Sequence, residues 1–361
     1  MVDINSRESI SQLDLENVLG SVEALPDQCL DAYEKANLVN VPEEFGNIEN
    51  LVMAGMGGSG LGARVIESVY FDTNKFPLVR VNDYNIPNFV NENSLVICSS
   101  YSGTTEETLE NVRQALERKA KWMAIGTGGT LIDEAKKHGV PYYQIDPKFN
   151  PSNQPRMAIG YSIVGQLVLA SKLGLFDFTK DDLDQLVIAM KSILEKNSIE
   201  INEADNAAKK LARLMYSKNI FYISASHLTG ATHTINNQLN ENAKTFSADF
   251  TIPELNHHLM EGLMHPSTNS QNLFMLFVNS NLYSDKINKR FGITKDVVEK
   301  NNLSFYHYTC TAQTKLSQAF ELIQFGALAN FYLSMLYEQN PAPIPWVDYF
   351  KTRMGQPLGK N

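Results

Sequence analysis

The sequence has no basic surplus. Its 361 residues carry 31 Lys and Arg against 40 Asp and Glu, a net charge of −9. Nothing is left over to neutralise a nucleic-acid backbone, and no basic helix-turn-helix segment is present. Cysteine is scarce. Cys29, Cys98 and Cys310 form neither a disulfide framework nor a metal-ligand pattern, and Cys98 lies inside an apolar run. That usage points to a reducing cytoplasm. No Cys/His/carboxylate spacing completes a zinc site, and the side chains of the adjacent His257 and His258 diverge, so no metal is expected. A Gly-Lys-Ser/Thr ending is missing, which argues against a nucleotide P-loop. No stretch reads as long enough to span a membrane. Met1-Val2-Asp3-Ile4-Asn5 has neither the basic start nor the apolar core of a targeting segment. The chain is 43% hydrophobic and 20% charged, as in a soluble globular protein, and is long enough for two domains with sizeable cores.

Against this background one stretch stands out: Ser99-Ser100-Tyr101-Ser102-Gly103-Thr104-Thr105-Glu106-Glu107-Thr108. It follows the apolar run Leu95-Val96-Ile97-Cys98 and precedes an amphipathic segment, 109–116. A buried strand thus delivers several hydroxyls and a glycine onto a helix N-terminus, where first-turn N–H groups lack partners and the helix dipole favours an anion. Hydroxyls add donors without net charge, so they can hold a phosphate that must later leave. The alternative is plain N-capping by Ser and Thr, for which one hydroxyl suffices.

A second turn of the same kind lies upstream. Leu51-Val52-Met53-Ala54 runs into Gly55-Met56-Gly57-Gly58-Ser59-Gly60 and then a helix. The glycines permit close backbone approach and Ser59 can donate at the helix start. The pattern resembles a dinucleotide fingerprint, but its hydroxyl-rich companion points to a compact sugar phosphate. Further strands at 78–81 and 122–125 alternate with helices, the second ending in Gly126-Thr127-Gly128-Gly129, and another apolar run covers 140–145. Alternation of this kind predicts a parallel, doubly wound sheet whose ligand lies beyond the strands' carboxyl ends. Residues 1–50 read as an amphipathic helical cover. Gln154-Pro155-Arg156 leads into an apolar helix over 159–175, and Arg156 at its start reads equally as a functional cation or a surface arginine.

Residues 176–216 read as a charged helical connector. Beyond it the pattern resumes, with a strand over 219–225, a helix from about Thr229, a short segment 245–252, strands at 273–278 and 304–308, and an apolar helix over 316–337. The second half looks like a repeat of the first with its phosphate-type loops worn away. The predicted architecture is α/β, with two doubly wound, flavodoxin-like domains whose parallel sheets are flanked by helices, cut at residues 1–195 and 196–361. In the second half Glu241 stands between Asn240 and Asn242 with Lys244 nearby, and His257 follows in a proline-led loop. A desolvated glutamate can act as a base and a loop histidine can shuttle protons, although a helix-surface glutamate would look the same locally.

Taken in order, Gly57-Gly58-Ser59-Gly60, Ser100 to Thr108, Gln154-Pro155-Arg156, Asn240-Glu241-Asn242-Ala243-Lys244 and Glu254-Leu255-Asn256-His257 closely resemble the bifunctional phosphoglucose/phosphomannose isomerases, two-domain members of the sugar isomerase (SIS) fold. The resemblance spans roughly residues 50–350. It implies an aldose–ketose isomerase that interconverts glucose 6-phosphate, and mannose 6-phosphate too, with fructose 6-phosphate. No cofactor is needed, since the carbon skeleton is unchanged. Glu241 would move a proton between C1 and C2 through a cis-enediol, and His257 would assist ring opening from the other subunit of a homodimer. Arg156 would stabilise the enediolate. Gly58, Ser59, Ser100, Ser102 and Thr105 would hold the phosphate, and Lys351 would supply the family's C-terminal lysine. His258 departs from the family, which usually carries a polar amide there. A single-substrate phosphohexose isomerase and a non-catalytic SIS-type sugar-phosphate sensor are the alternatives.

Overall fold

The computed structural model describes residues 2–356, and two parallel sheets organise them. In the first, β1 (Asn50–Gly55), β2 (Leu78–Val81), β3 (Ser94–Ser99), β4 (Lys121–Gly126) and β5 (Tyr142–Gln144) are arranged β2-β1-β3-β4-β5. Every residue of β1 and β3 is buried, as befits central strands covered on both faces, which is why they read as continuous apolar runs rather than alternating ones. In this order the winding reverses between β1 and β3, and a crevice opens there at the carboxyl edge.

Helices flank the sheet. Gly58–Tyr70 follows β1, Glu106–Glu117 follows β3 and Gly129–His138 follows β4. Val52, Val96, Trp122 and Ala124 on one face pack with Val112, Ala115, Leu131 and Ile132 of the last two helices. Each large aliphatic buried there contributes about 1.5–3 kcal/mol. The helix Ile159–Ser171 is apolar on all sides and buried almost throughout. It lies against Leu25–Asn37 so closely that a Cβ on Gly160 would sit 2.7 Å from the Gln28 Cβ and 3.0 Å from the Cys29 Sγ. Glycine is the residue that permits this approach.

The second sheet repeats the winding with one strand fewer: β6 (Asn219–Ala225), β7 (Ser247–Ile252), β8 (Leu273–Ser280) and β9 (Ser304–Cys310), in the order β7-β6-β8-β9, all parallel. The sequence pattern does not announce β7. Its residues Ser-Ala-Asp-Phe-Thr-Ile are half-buried over the middle four positions, as an edge strand allows. The helix Lys315–Leu336 corrects a second expectation, because it is long and apolar enough by composition to cross a membrane. Of its most apolar window 94% is buried inside the protein, so it serves as a core helix.

The chain forms two compact units, each discontinuous in sequence. One comprises Glu23–Leu183 and the segment from Ile344 onward; the other comprises the segment ending at Val22 and Asp184–Pro343. This differs from a cut at residue 195. The division falls inside the helix Lys180–Asn197, and the two chain ends exchange units. The N-terminal segment is tied to its unit by Gln324 Nε2 donating to the Val22 carbonyl, by the Arg7–Glu200 ion pair and by Lys209 Nζ donating to Asn5 Oδ1. Residues 357–361, the end of the expected second domain, lie outside the described residues.

Candidate active site

At the switch point of the first sheet the two glycine- and hydroxyl-bearing turns meet. Tyr101 N–H donates to Ser59 Oγ at 2.8 Å, which locks the turn after β3 onto the helix that follows β1. Ser100 is buried, and its Oγ lies 2.8 Å from Thr105 Oγ1 while accepting the Gly103 N–H at 3.1 Å. Ser102 Oγ and Thr104 Oγ1 pair at 3.0 Å. Thr105 is the N-cap of the helix Glu106–Glu117, yet its hydroxyl makes no capping bond. The helix Gly58–Tyr70 likewise begins at Gly57 without a side-chain cap. The capping explanation of these hydroxyls therefore fails where it was most natural, at Thr105. Two uncapped helix N-termini and a row of hydroxyls converge on one crevice, a neutral donor array suited to a dianion.

A third turn braces this one from behind. Thr127 donates both its N–H and its hydroxyl to the Tyr101 carbonyl, at 2.9 and 2.7 Å, and Leu131 N–H donates to the Gly103 carbonyl at 2.9 Å. Gly103 has φ +70°, and a Cβ there would fall 1.8 Å from the Gly128 carbonyl oxygen. The Tyr101 hydroxyl donates to Asn153 Oδ1 at 2.9 Å and accepts from Asn150 Nδ2 at 3.0 Å. Burial pushes its pKa up to about 12, so at neutral pH it is a fixed donor. Tyr101, Asn150 and Asn153 were not singled out by motif. Only the position of Tyr101 among the serines hints at its part.

Arg156 lies in the turn Pro155–Met157 and is 1% exposed, which excludes the surface alternative. Its Nη1 donates to Gln154 Oε1 at 2.9 Å. A Cβ on Gly58 would meet the Arg156 backbone nitrogen at 2.8 Å, so this turn sits directly on the glycine turn after β1. Gly58, Ser59, Ser100, Ser102, Thr105 and Arg156 thus gather in one unit. Lys351, half-exposed on the helix Pro345–Met354, belongs to the same unit.

The second sheet is built differently at the equivalent place. Beyond the ends of β6, β8 and β9, Gln318 fills the crevice: its Oε1 meets His227 Nε2 and Ser280 Oγ, and its Nε2 donates to Asn281 Oδ1 and the Ala312 carbonyl. Glu241 and His257 sit elsewhere in that unit. Glu241 is half-buried in the last turn of the helix Thr229–Asn242, beside Asn240, whose amide donates to Ser247 Oγ at the start of β7. Lys244 Nζ crosses that helix end to the carbonyls of Asn242, Asn340 and Pro341. His257 is exposed and follows the far end of β7, in the turn Glu254–His257. A six-residue strand spans about 16 Å, so within one chain the two side chains lie toward opposite edges of the sheet. The structure does not bring them together. Among the described residues no group of three or more His, Cys, Asp or Glu side chains could hold a metal ion.

Two wound sheets, one with a hydroxyl-lined switch point, define the SIS class of α/β phosphosugar proteins. Consistent with that, a family model described as the bacterial phospho-glucose isomerase C-terminal SIS domain matches residues 200–354. A solved protein from Thermus thermophilus superposes with a TM-score of 0.71 at 15% identity, covering 93% of this chain and 89% of its own. The tagatose-6-phosphate ketose/aldose isomerase of Escherichia coli gives 0.64 at 12% identity, covering 93% of both chains. A curated bifunctional phosphoglucose/phosphomannose isomerase from Caldicellulosiruptor bescii is 32% identical over 343 residues, 93% of this chain and 98% of that protein. The chain belongs to the bifunctional phosphoglucose/phosphomannose isomerase family.

Proposed function

We propose that this protein interconverts glucose 6-phosphate and mannose 6-phosphate with fructose 6-phosphate. The observation that carries the proposal is the hydroxyl-lined crevice between β1 and β3, abutted by the Arg156 turn, in a chain of this family. Ser59, Ser100, Ser102 and Thr105, with the two helix N-termini, hold the phosphate. Glu241 takes the proton from C2 of the open-chain aldose while charge moves to the carbonyl oxygen at C1, giving a cis-enediolate. Transfer of the hydroxyl proton from O2 to O1, with return of the carbon-bound proton from Glu241 to C1, leaves the carbonyl at C2 and yields the ketose. Arg156 faces the charge that exists only during reaction, where a fixed cation is most effective. Lys351 adds a further cation to the site.

His257 assists ring opening in the site of a second copy. The separation of Glu241 and His257 along β7 supports a homodimer in which each site takes its histidine from the partner. The buried and unpaired Cys29, Cys98 and Cys310 support a reducing, cytoplasmic setting.

The test is a paired assay of the wild type and Glu241→Gln, given fructose 6-phosphate in deuterated water, with both aldose products followed. The wild type should form glucose 6-phosphate and mannose 6-phosphate labelled at C2. The variant should bind substrate and lose about 10³-fold or more in turnover. Glucose 6-phosphate as sole product would narrow the activity to one substrate. Binding without exchange in the wild type would make the protein a sensor and overturn the proposal.

A further inference from the structure

The catalytic proposal leaves unused a fully buried side chain on the N-terminal cover, Gln28. It lies on the helix Leu25–Asn37, well over a hundred residues in sequence from the groups it touches. Its Nε2 donates to the Phe149 carbonyl at 3.0 Å and to the Met157 carbonyl at 2.9 Å, and its Oε1 accepts the Gly160 N–H at 3.2 Å. One amide therefore staples both ends of the loop 149–157 and fixes the helix that follows. That loop carries Arg156 next to its C-terminal end.

The rest of the loop is held in the same direction. Asp31, on the same helix, is buried and pairs with Lys148 Nζ at 2.8 Å. Phe149 N–H donates to the Tyr161 hydroxyl at 3.1 Å. Asn150 Nδ2 donates to the Gln154 carbonyl as well as to Tyr101. Gln154 in turn accepts from Arg156. The chemistry at position 28 is restrictive, because two donors and an acceptor are needed at the reach of glutamine. Glutamate lacks the donors, methionine has neither, and asparagine is a methylene short.

We propose that Gln28 is a positioning residue that sets Arg156 against the developing enediolate by clamping the two ends of the loop 149–157. The covering helix is thus part of the reaction machinery. This inference rests on the proposed role of Arg156, and the experiment separates the two.

Gln28→Met keeps the volume and removes all three bonds. It is assayed in the wild-type and Arg156→Met backgrounds with fructose 6-phosphate, alongside inhibition by two probes: the hydroxamate of 5-phosphoarabinonic acid, a planar enediolate mimic, and glucitol 6-phosphate, which shares only the phosphate and the carbon chain. The expected result is a fall in kcat of about 10- to 100-fold with KM nearly unchanged, since a displacement of about 1 Å is enough for such a loss. Hydroxamate affinity should fall with kcat while glucitol 6-phosphate affinity holds. In the Arg156→Met background the substitution should change nothing further. Parallel loss of both inhibitors, or losses that multiply with those of Arg156→Met, would overturn the proposal. Lys148→Met guards against a Gln28 variant that does not fold: it loosens the same loop from its exposed side and should shift the inhibitor ratio in the same direction. An unchanged ratio in Lys148→Met would count against the clamp. Full activity in Arg156→Met would remove the parent reading, and Gln28 would then have nothing to position.

Discussion

Gly103 and Gly57 share a positive φ and have quite different surroundings. Both adopt positive φ, +70° and +49°. A Cβ on Gly57 would meet nothing within 4 Å, whereas one on Gly103 would collide with the Gly128 carbonyl at 1.8 Å. A positive φ costs an alanine about 1–3 kcal/mol, and at Gly57 the ψ of −131° lies outside the left-handed well. At Gly103 a collision with the Gly128 backbone adds to it, so Gly103→Ala should lose about 4 kcal/mol or more against about 1–3 for Gly57→Ala. Urea unfolding of both variants would check this, and equal losses would show that the braced turn is more pliant than its hydrogen bonds imply. At this scale the sequence was partly legible. The serines and glycines stood at strand ends, where their chemistry had an evident use. The burial of Arg156 was invisible, because its turn packs on Gly58, distant in sequence, which no local pattern joins to it.

Elements were more legible than their alliances. Central strands such as β1, β3 and β8 are long apolar runs, and an apolar run bounded by turn residues can be read directly. The edge strand β7 was not, since half its surface is polar. The N-terminal cover was read as one body, but its first part serves the second sheet's unit and its second part the first. A single lysine shows how the first part is held. Lys209 has no exposed surface, and its Nζ donates to Asn5 Oδ1, Ile199 O and Ile201 O at 3.0, 2.7 and 2.8 Å, with the Tyr332 ring 5.2 Å away. Lys209→Met keeps the aliphatic stem but leaves the buried Ile199 carbonyl and the half-buried Ile201 carbonyl without their donor, at about 1–3 kcal/mol for a buried group. In a unit of this size each kcal/mol lowers the melting temperature by about 2–4 °C. The variant should therefore melt several degrees lower and expose the segment before Val22 to protease first. A variant that melts with the wild type would show that packing of Ile4 and Ile10, not the lysine, holds the segment.

For the whole molecule the decisive fact is the length of β7. Asn236 and Asn240 bond to Asp249 and Ser247, so the helix bearing Glu241 runs antiparallel to the strand and ends at its start. His257 comes after its finish. Since β7 spans about 16 Å, the proposed site, which uses both, is expected to draw them from two chains. In a two-fold dimer each interface residue is used reciprocally, which makes the arrangement testable by mixing. Glu241→Gln and His257→Ala are each expected to be inactive, since every site in either homodimer lacks one group. After subunit exchange at equal amounts, half of the dimers are hybrids. Each hybrid holds one site with both lesions and one site with none, so activity should return to about a quarter of the wild-type value. Hybrids detected by native mass spectrometry without recovered activity would place His257 outside the partner's site, and an active monomer in sedimentation would remove the need for a partner altogether.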